Sequence, residues 1–255
     1  IGAAIIADGV DAVIVASRNN LRLGASQIKL MAGGGVSSLY DQLEDVQYFE
    51  DELHAAVMAA EDAGTYVMVH VYVPEAIRRA IRAGVKSIEH GQLIDEPTMK
   101  LIAEKGVWLS MQPFIGEGNN HYTNPVQQAK HELVVQGTDR AYQLAKKYGV
   151  KLAWGTDLLF SPANARNQNL NIEKMTRWFS NFEILKMITH DNAELLALSG
   201  RRNPYPGKLG VIEEGALADL IVVDGNALED IKVLTDPGKN MLLIMKDGKI
   251  YKNDL

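Results

Sequence analysis

Residues 65–91 read TYVMVHVYVPEAIRRAIRAGVKSIEHG, and this stretch decides the fold. A run of β-branched and apolar residues, 65–72, gives way at Pro74 to a segment with Ala76, Ile77, Ala80 and Ile81 at the spacing of one helical face. Pro74 stands where a helix begins, because the first turn has amides with no partner inside the helix. Gly84 stands where a left-handed cap can end it, and a second apolar run, 85–90, then closes on Gly91. Strand, helix and strand in that order form a βαβ unit, which needs parallel strands joined by a right-handed crossover.

The alternation extends both ways. Upstream lies QIKLMA at 27–32; downstream lie VWLSMQPF at 107–114 and KLAWGTD at 151–157. Between and around these strands the apolar periodicity predicts helices over 50–64, 74–84, 96–106, 139–149 and 181–198, with a further one near 10–23. Gly64, Gly106 and Gly149 mark helix ends, and Pro97 a helix start. The count is five β/α units, three fewer than a closed parallel barrel contains. A doubly wound open sheet is the competing architecture. However, GGGV after QIKLMA has neither GxGxxG spacing nor an immediate helix, so it is a weak phosphate signal. From residue 201 the texture changes. RRNPYPGK is a turn-rich junction, and GVIEEGALADLIVVDG and NMLLIMKDGKIYKN are strand-rich, with a hairpin signal at Asp247-Gly248. The expected division is an α/β unit over 1–200 and a segment over 201–255 that completes a sheet whose other strands lie elsewhere.

Composition narrows the function. A net charge of −6 argues against a nucleic-acid binder, which needs a basic patch. No apolar run approaches the roughly 20 residues of a membrane helix. With no cysteine, disulfides, Fe–S clusters and thiolate zinc sites are excluded, although this does not fix a compartment. A cytoplasmic location is the expectation. The chain opens at Ile1 without an initiator methionine, as the remainder of a longer protein would. There is no GxSxG elbow and no HExxH helix, so serine-hydrolase and zincin chemistry find no support.

Four polar residues sit at strand ends, where a parallel barrel builds its chemistry: Lys29, His70, His90 and Asp157. Each also has a plain role available to it. Lys29 could be a surface lysine, but between Ile28, Leu30 and Met31 it is expected on an interior strand. Burial there would lower its pKa and let the neutral amine take up carbon dioxide as a carbamate. His70 could be a core histidine; His90, 20 residues on and followed by Gly91, makes a paired ligand role more favourable. Asp157 could simply cap a turn. Tyr72, two residues after His70, shares its side of the strand and either polarises a carbonyl or fills the mouth of the site. His54, His121, His131 and His190 are expected in solvated positions, and Trp108, Trp154 and Trp178 in packing ones.

With these residues assembled, the chain resembles the amidohydrolase superfamily, in the branch of imidazolonepropionase-like enzymes and Xaa-Pro dipeptidases. The strings that carry the resemblance are IADGVDAV, QIKLMAGGGVSS, VHVY, VKSIEHGQLID, AWGTD, THDNAELLALSG and GKLGVIEEGALADLIVVDG, in that order. The resemblance implies a (β/α)8 barrel of which strands four to eight are present, followed by the C-terminal part of a small β-sandwich. It also implies two divalent cations, zinc by preference, held by a carbamylated Lys29 as bridge and by His70, His90 and Asp157. A metal-activated hydroxide would attack an amide carbonyl, Tyr72 would assist polarisation, and Asp157 would carry the proton to the leaving nitrogen. The substrate would be a small molecule, an Xaa-Pro dipeptide or N-acyl amino acid, with Arg166 a candidate for binding its carboxylate. The protein is expected to form a homo-oligomer. The family's HxH pair is absent from the chain and expected upstream of Ile1. A cyclic-amide, aryl-amide or urea hydrolase, and an inactive remnant with a binding or structural role, are the alternatives.

Overall fold

The computed structural model describes residues 4–116, 122–158 and 162–255, so His121 lies outside the described residues. The chain divides into two compact units, Ile1–Leu152 with Leu196–Pro204, and Ala153–Leu195 with Tyr205–Leu255.

The first unit alternates helix and strand: α1 (Val10–Arg22), β1 (Ile28–Met31), α2 (Glu50–Asp62), β2 (Val67–Val71), α3 (Pro74–Ala83), β3 (Ser87–His90), α4 (Glu96–Lys105), β4 (Trp108–Met111) and α5 (Pro125–Tyr148). A fifth strand, β5 (Leu152–Trp154), begins at the unit's last residue before the division. The sheet order is β1-β2-β3-β4-β5, and the registered pairs from β1 to β4 are parallel. Every strand therefore lies beside its predecessor in sequence, with no reversal of order. A doubly wound sheet would contain a reversal. Consecutive helices from α1 to α5 also pack on one another, which puts them on one side of the sheet. The architecture is thus α/β, and its sequential parallel order is that of a barrel segment.

Helix starts and ends follow local chemistry. Asp95 caps α4 by accepting from the Thr98 amide at 2.9 Å, and Gly84, Gly106 and Gly149 end α3, α4 and α5 in the left-handed region. The periodicity places the fifth helix at 139–149, but α5 begins at Pro125 and has 24 residues. Asn124 caps it through the Val126 amide, and Pro125 occupies the first turn. Its first half is polar in composition but buries Lys130 and Val134, so amphipathicity alone understates it. His131 is therefore helical and half-buried, not part of a solvated connection.

Alternation along the strands separates two faces. Ile28, Leu30, Val67, Val69, Ile88 and Leu109 are buried against the helices. The opposite face carries Lys29, Met31, Met68, His70, Ser87, Glu89, Trp108 and Ser110, with Lys29 and Met31 exposed.

In the second unit, β6 (Leu220–Val223), β7 (Met241–Lys246) and β8 (Lys249–Asn253) form an antiparallel sheet in that order. Asp247 and Gly248 both have positive φ, 50° and 73°, as a two-residue hairpin turn requires. Helical residues 181–197 include a wider turn over Met187–Asp191. Among the described residues no helix is long and apolar enough to cross a membrane.

Candidate metal centre and active site

The site in the first unit is built on the face of the sheet opposite the layer of α1 to α5. His70 is buried near the C-terminal end of β2, in register with Met31 of β1. Its Nε2 lies 3.1 Å from the Gly34 carbonyl oxygen. A carbonyl can only accept, so in the neutral ring Nε2 carries the proton and the lone pair is on Nδ1. The glycines that follow β1 make this contact possible. A Cβ on Gly34 would sit 1.8 Å from the Gln42 carbonyl oxygen, and one on Gly33 would meet Val71 Cγ2 at 3.3 Å. The triple glycine thus permits a tight chain crossing over His70.

His90 reaches the same place by a backbone reversal of sign. It is in register with Val71, and strict alternation would put its ring on the helix side with that valine. Its φ is 81°, however, and the ring lies on the other face, with its centroid 4.3 Å from that of His70. Positive φ is uncommon outside glycine and costs energy for an imidazole-bearing residue. Tyr72 stacks on His90 with centroids 4.9 Å apart and planes 26° apart, and meets His70 edge-on at 5.2 Å. The Nδ1 of His90 is 2.7 Å from Gln112 Oε1. Burial holds the His90 imidazole well below the usual histidine range, His70 and Lys29 act in the same direction, and the bond to Gln112 opposes them. A neutral imidazole is the form that ligates metals.

Lys29 is on this face, but the expected burial is absent. Its neighbours Ile28 and Leu30 turn into the helix layer, while Lys29 turns to the opposite side and is exposed. Lys29 remains electrostatically coupled to His90. Tyr72 is buried in an apolar cluster with Val36, Leu43 and Val134. Asp157 follows β5 with φ 49° and is exposed, and Arg166 lies in an exposed turn; both belong to the second unit. The structure thus brings His70, His90 and Tyr72 into direct contact and places Lys29 on the same sheet face.

Two contributors have no distinguishing sequence signal. Gln112 stands just beyond β4 in a run that looks like any strand end. Lys130 is only 4% exposed and donates from Nζ to the carbonyls of Gly35, Ser38 and Asp41 at 2.9, 2.8 and 2.6 Å. It thereby fixes the loop that presents Gly34 to His70. Asp41, 3.4 Å from that ammonium, has its carboxyl below the usual range: burial pushes it up, and bonds from Ser38, Gly35 and Lys130 outweigh this. Among the other histidines, His54 bonds the Ala83 carbonyl at 3.2 Å and His131 packs near Phe114 and Tyr122. In the second unit His190, Asp191 and Glu194 lie close enough for their donor atoms to share a cation, although Lys186 already pairs with Asp191.

Known proteins supply the remaining comparison. Ochratoxinase from Aspergillus niger is 35% identical over 255 residues, covering 98% of this chain and 51% of that protein. The chain therefore spans about half the length of the curated relatives it matches. The crystal structure of a prolidase complexed with N-methylphosphonate-L-proline superposes with a TM-score of 0.88 at 38% identity, over 98% of this chain and 60% of that one. That of a Xaa-Pro dipeptidase with bound methionine in the active site gives 0.85 at 31% identity, over 99% and 62%. The family model described as "Amidohydrolase family" matches residues 1–251, nearly the whole chain. An unbroken series of β/α units, two histidines meeting on one sheet face and a family match of this extent agree: the chain belongs to the amidohydrolase family.

Proposed function

We propose that the protein acts as a metal-dependent amidohydrolase on a small substrate, an Xaa-Pro dipeptide or an N-acyl amino acid. The observation that carries the proposal is the contact of His70 and His90 rings, 4.3 Å between centroids, with each tied at one nitrogen to an acceptor. An imidazole held at one nitrogen can, in its neutral form, offer the lone pair of the other, the donor chemistry that zinc, manganese or cobalt would take. The residues fit the cations that the family implies. His70 and His90 would hold one, Lys29 as its carbamate would bridge to a second, and Asp157 would complete the protein's present donors. Bound divalent cations would supply Lewis acidity and lower the pKa of water.

The side chains then have separate tasks. Gly34 and Gln112 hold the two rings at fixed angles. Tyr72, stacked on His90 and edge-on to His70, covers the rings on one side and would assist in polarising a carbonyl. Asp157, by its carboxylate, would take a proton from the attacking water and return it to the leaving nitrogen. Arg166 would meet a substrate carboxylate. The barrel would occupy 1–200 and the sandwich segment 201–255, and a homo-oligomer is the proposed assembly. Likeness to a prolidase and a Xaa-Pro dipeptidase favours a dipeptide, with a cyclic-amide, aryl-amide or urea hydrolase as the alternative.

The test is metal analysis of the purified protein together with a hydrolysis screen of Xaa-Pro dipeptides and N-acyl amino acids. The expectation is stoichiometric divalent metal and turnover of at least one class, with Lys29→Ala losing both. Full metal content and activity in Lys29→Ala would remove the bridging role.

A further inference from the structure

We infer that Gln112, oriented by Gln92, is a positioning residue that sets the tautomer of His90, so that its Nε2 is the nitrogen offered to a metal. The inference rests on the metal-dependent function proposed above. Both glutamines are buried, Gln92 at 1% and Gln112 at 5% exposure, and since the Gln92 Oε1 has no hydrogen-bond partner among the described residues, that amide is held through its NH2 alone. The Gln92 side-chain Nε2 lies 3.4 Å from the backbone carbonyl oxygen of Gln112 and 3.5 Å from its side-chain Oε1. A backbone carbonyl only accepts, so the NH2 of Gln92 faces Gln112. A facing NH2 in turn selects the oxygen end of the Gln112 amide. That same oxygen is 2.7 Å from His90 Nδ1, which must therefore be the donor. The proton is on Nδ1 and the lone pair on Nε2.

Gln92 follows His90, the last residue of β3, by two positions, but Gln112 lies 22 residues from His90, just after β4. They meet because β3 and β4 are parallel neighbours in register, Glu89 opposite Ser110, and because His90 turns its ring toward the Gln112 side. Gln112 has the parity of Trp108 and Ser110 on the face opposite the helix layer. Without an acceptor there, either tautomer of His90 would be available, and a fraction of molecules would present an N–H where a ligand lone pair is needed. The role is one of orientation: Gln112 meets His90 at Nδ1, not at the nitrogen offered to a metal.

The test uses zinc alone as probe and two readouts on the purified protein. Long-range 1H–15N spectra of the metal-free form report the tautomer of His90, and chelator competition reports zinc affinity. In the unmodified protein a single Nδ1–H tautomer is expected. Gln112→Met keeps the volume but offers no amide acceptor; it is expected to give mixed tautomers and a zinc affinity about 10–100-fold weaker. Gln112→Glu, whose carboxylate accepts, is expected to restore the single tautomer. Gln92→Met, a milder change that keeps Gln112, is expected to move both readouts less and serves if Gln112→Met does not fold. A single Nδ1–H tautomer and unchanged zinc affinity in Gln112→Met would overturn the role of Gln112 and leave the metal site standing. Failure of the unmodified protein to bind zinc would overturn the metal site itself, and this role with it.

Discussion

The two faces of the parallel sheet are made from the same strands and differ in almost everything else. On one, Ile28, Leu30, Val69, Ile88 and Leu109 alternate into the helix layer and are buried. On the other, Lys29, His70, Ser87, Glu89 and Gln112 face away from the helices, and polar contacts replace apolar ones: Ser87 to Glu89 at 2.6 Å, His90 to Gln112 at 2.7 Å. Alternation is a period of two set by backbone geometry, so one face can be given to stability and the other to chemistry without competition. His90 is the exception, and its positive φ moves a residue of the first face onto the second.

Substitutions that separate the faces test this division. The largest loss of stability is expected from Leu109→Ala, which empties a fully buried position on the helix side and should cost about 2–5 kcal/mol in denaturant unfolding. The His90 tautomer should be unmoved in the folded fraction; a change there would mean the faces are coupled. His90→Ala acts on the other face and should weaken zinc binding by more than ~100-fold in chelator competition, exceeding the loss of a mere outer hydrogen-bond partner. Next comes Lys130→Met, which leaves three carbonyls without their donor and should cost about 1–3 kcal/mol. Hydrogen exchange should speed up over residues 33–45 and little elsewhere.

The smallest effect belongs to the outer surface of the helices. Glu96 of α4 is held to about 2 chiefly by the hydrogen bond from Lys147 of α5, then by Tyr148. Its folded pKa is below the unfolded value, so its contribution is present above pH about 4.5 and is lost as pH falls toward 2. Glu96→Gln should therefore flatten the acid limb of a stability–pH curve slightly and leave neutral stability nearly unchanged, because the pair is exposed to solvent. A large neutral-pH loss would contradict that placement.

Much of this was legible in the chain. The β/α alternation, the helix ends at Gly84, Gly106 and Gly149, the hairpin at Asp247-Gly248 and the meeting of His70 with His90 all follow from local patterns or from strand ends. The extent of α5 was not, because a polar first half still buries Lys130 against a loop some 90 residues away in sequence.

By itself, then, the sequence determined the period of each segment, the alternation of strand and helix along the chain and the residues at strand ends, since these depend on neighbours within a few positions. Only the tertiary structure decided which nitrogen of His90 is committed, that Lys29 is exposed on the face opposite the helices, and that Gln112 and Lys130 support the two histidines. Those outcomes depend on register between strands and on the sign of one backbone angle, which are fixed by contacts across the sheet and not by the residues on either side.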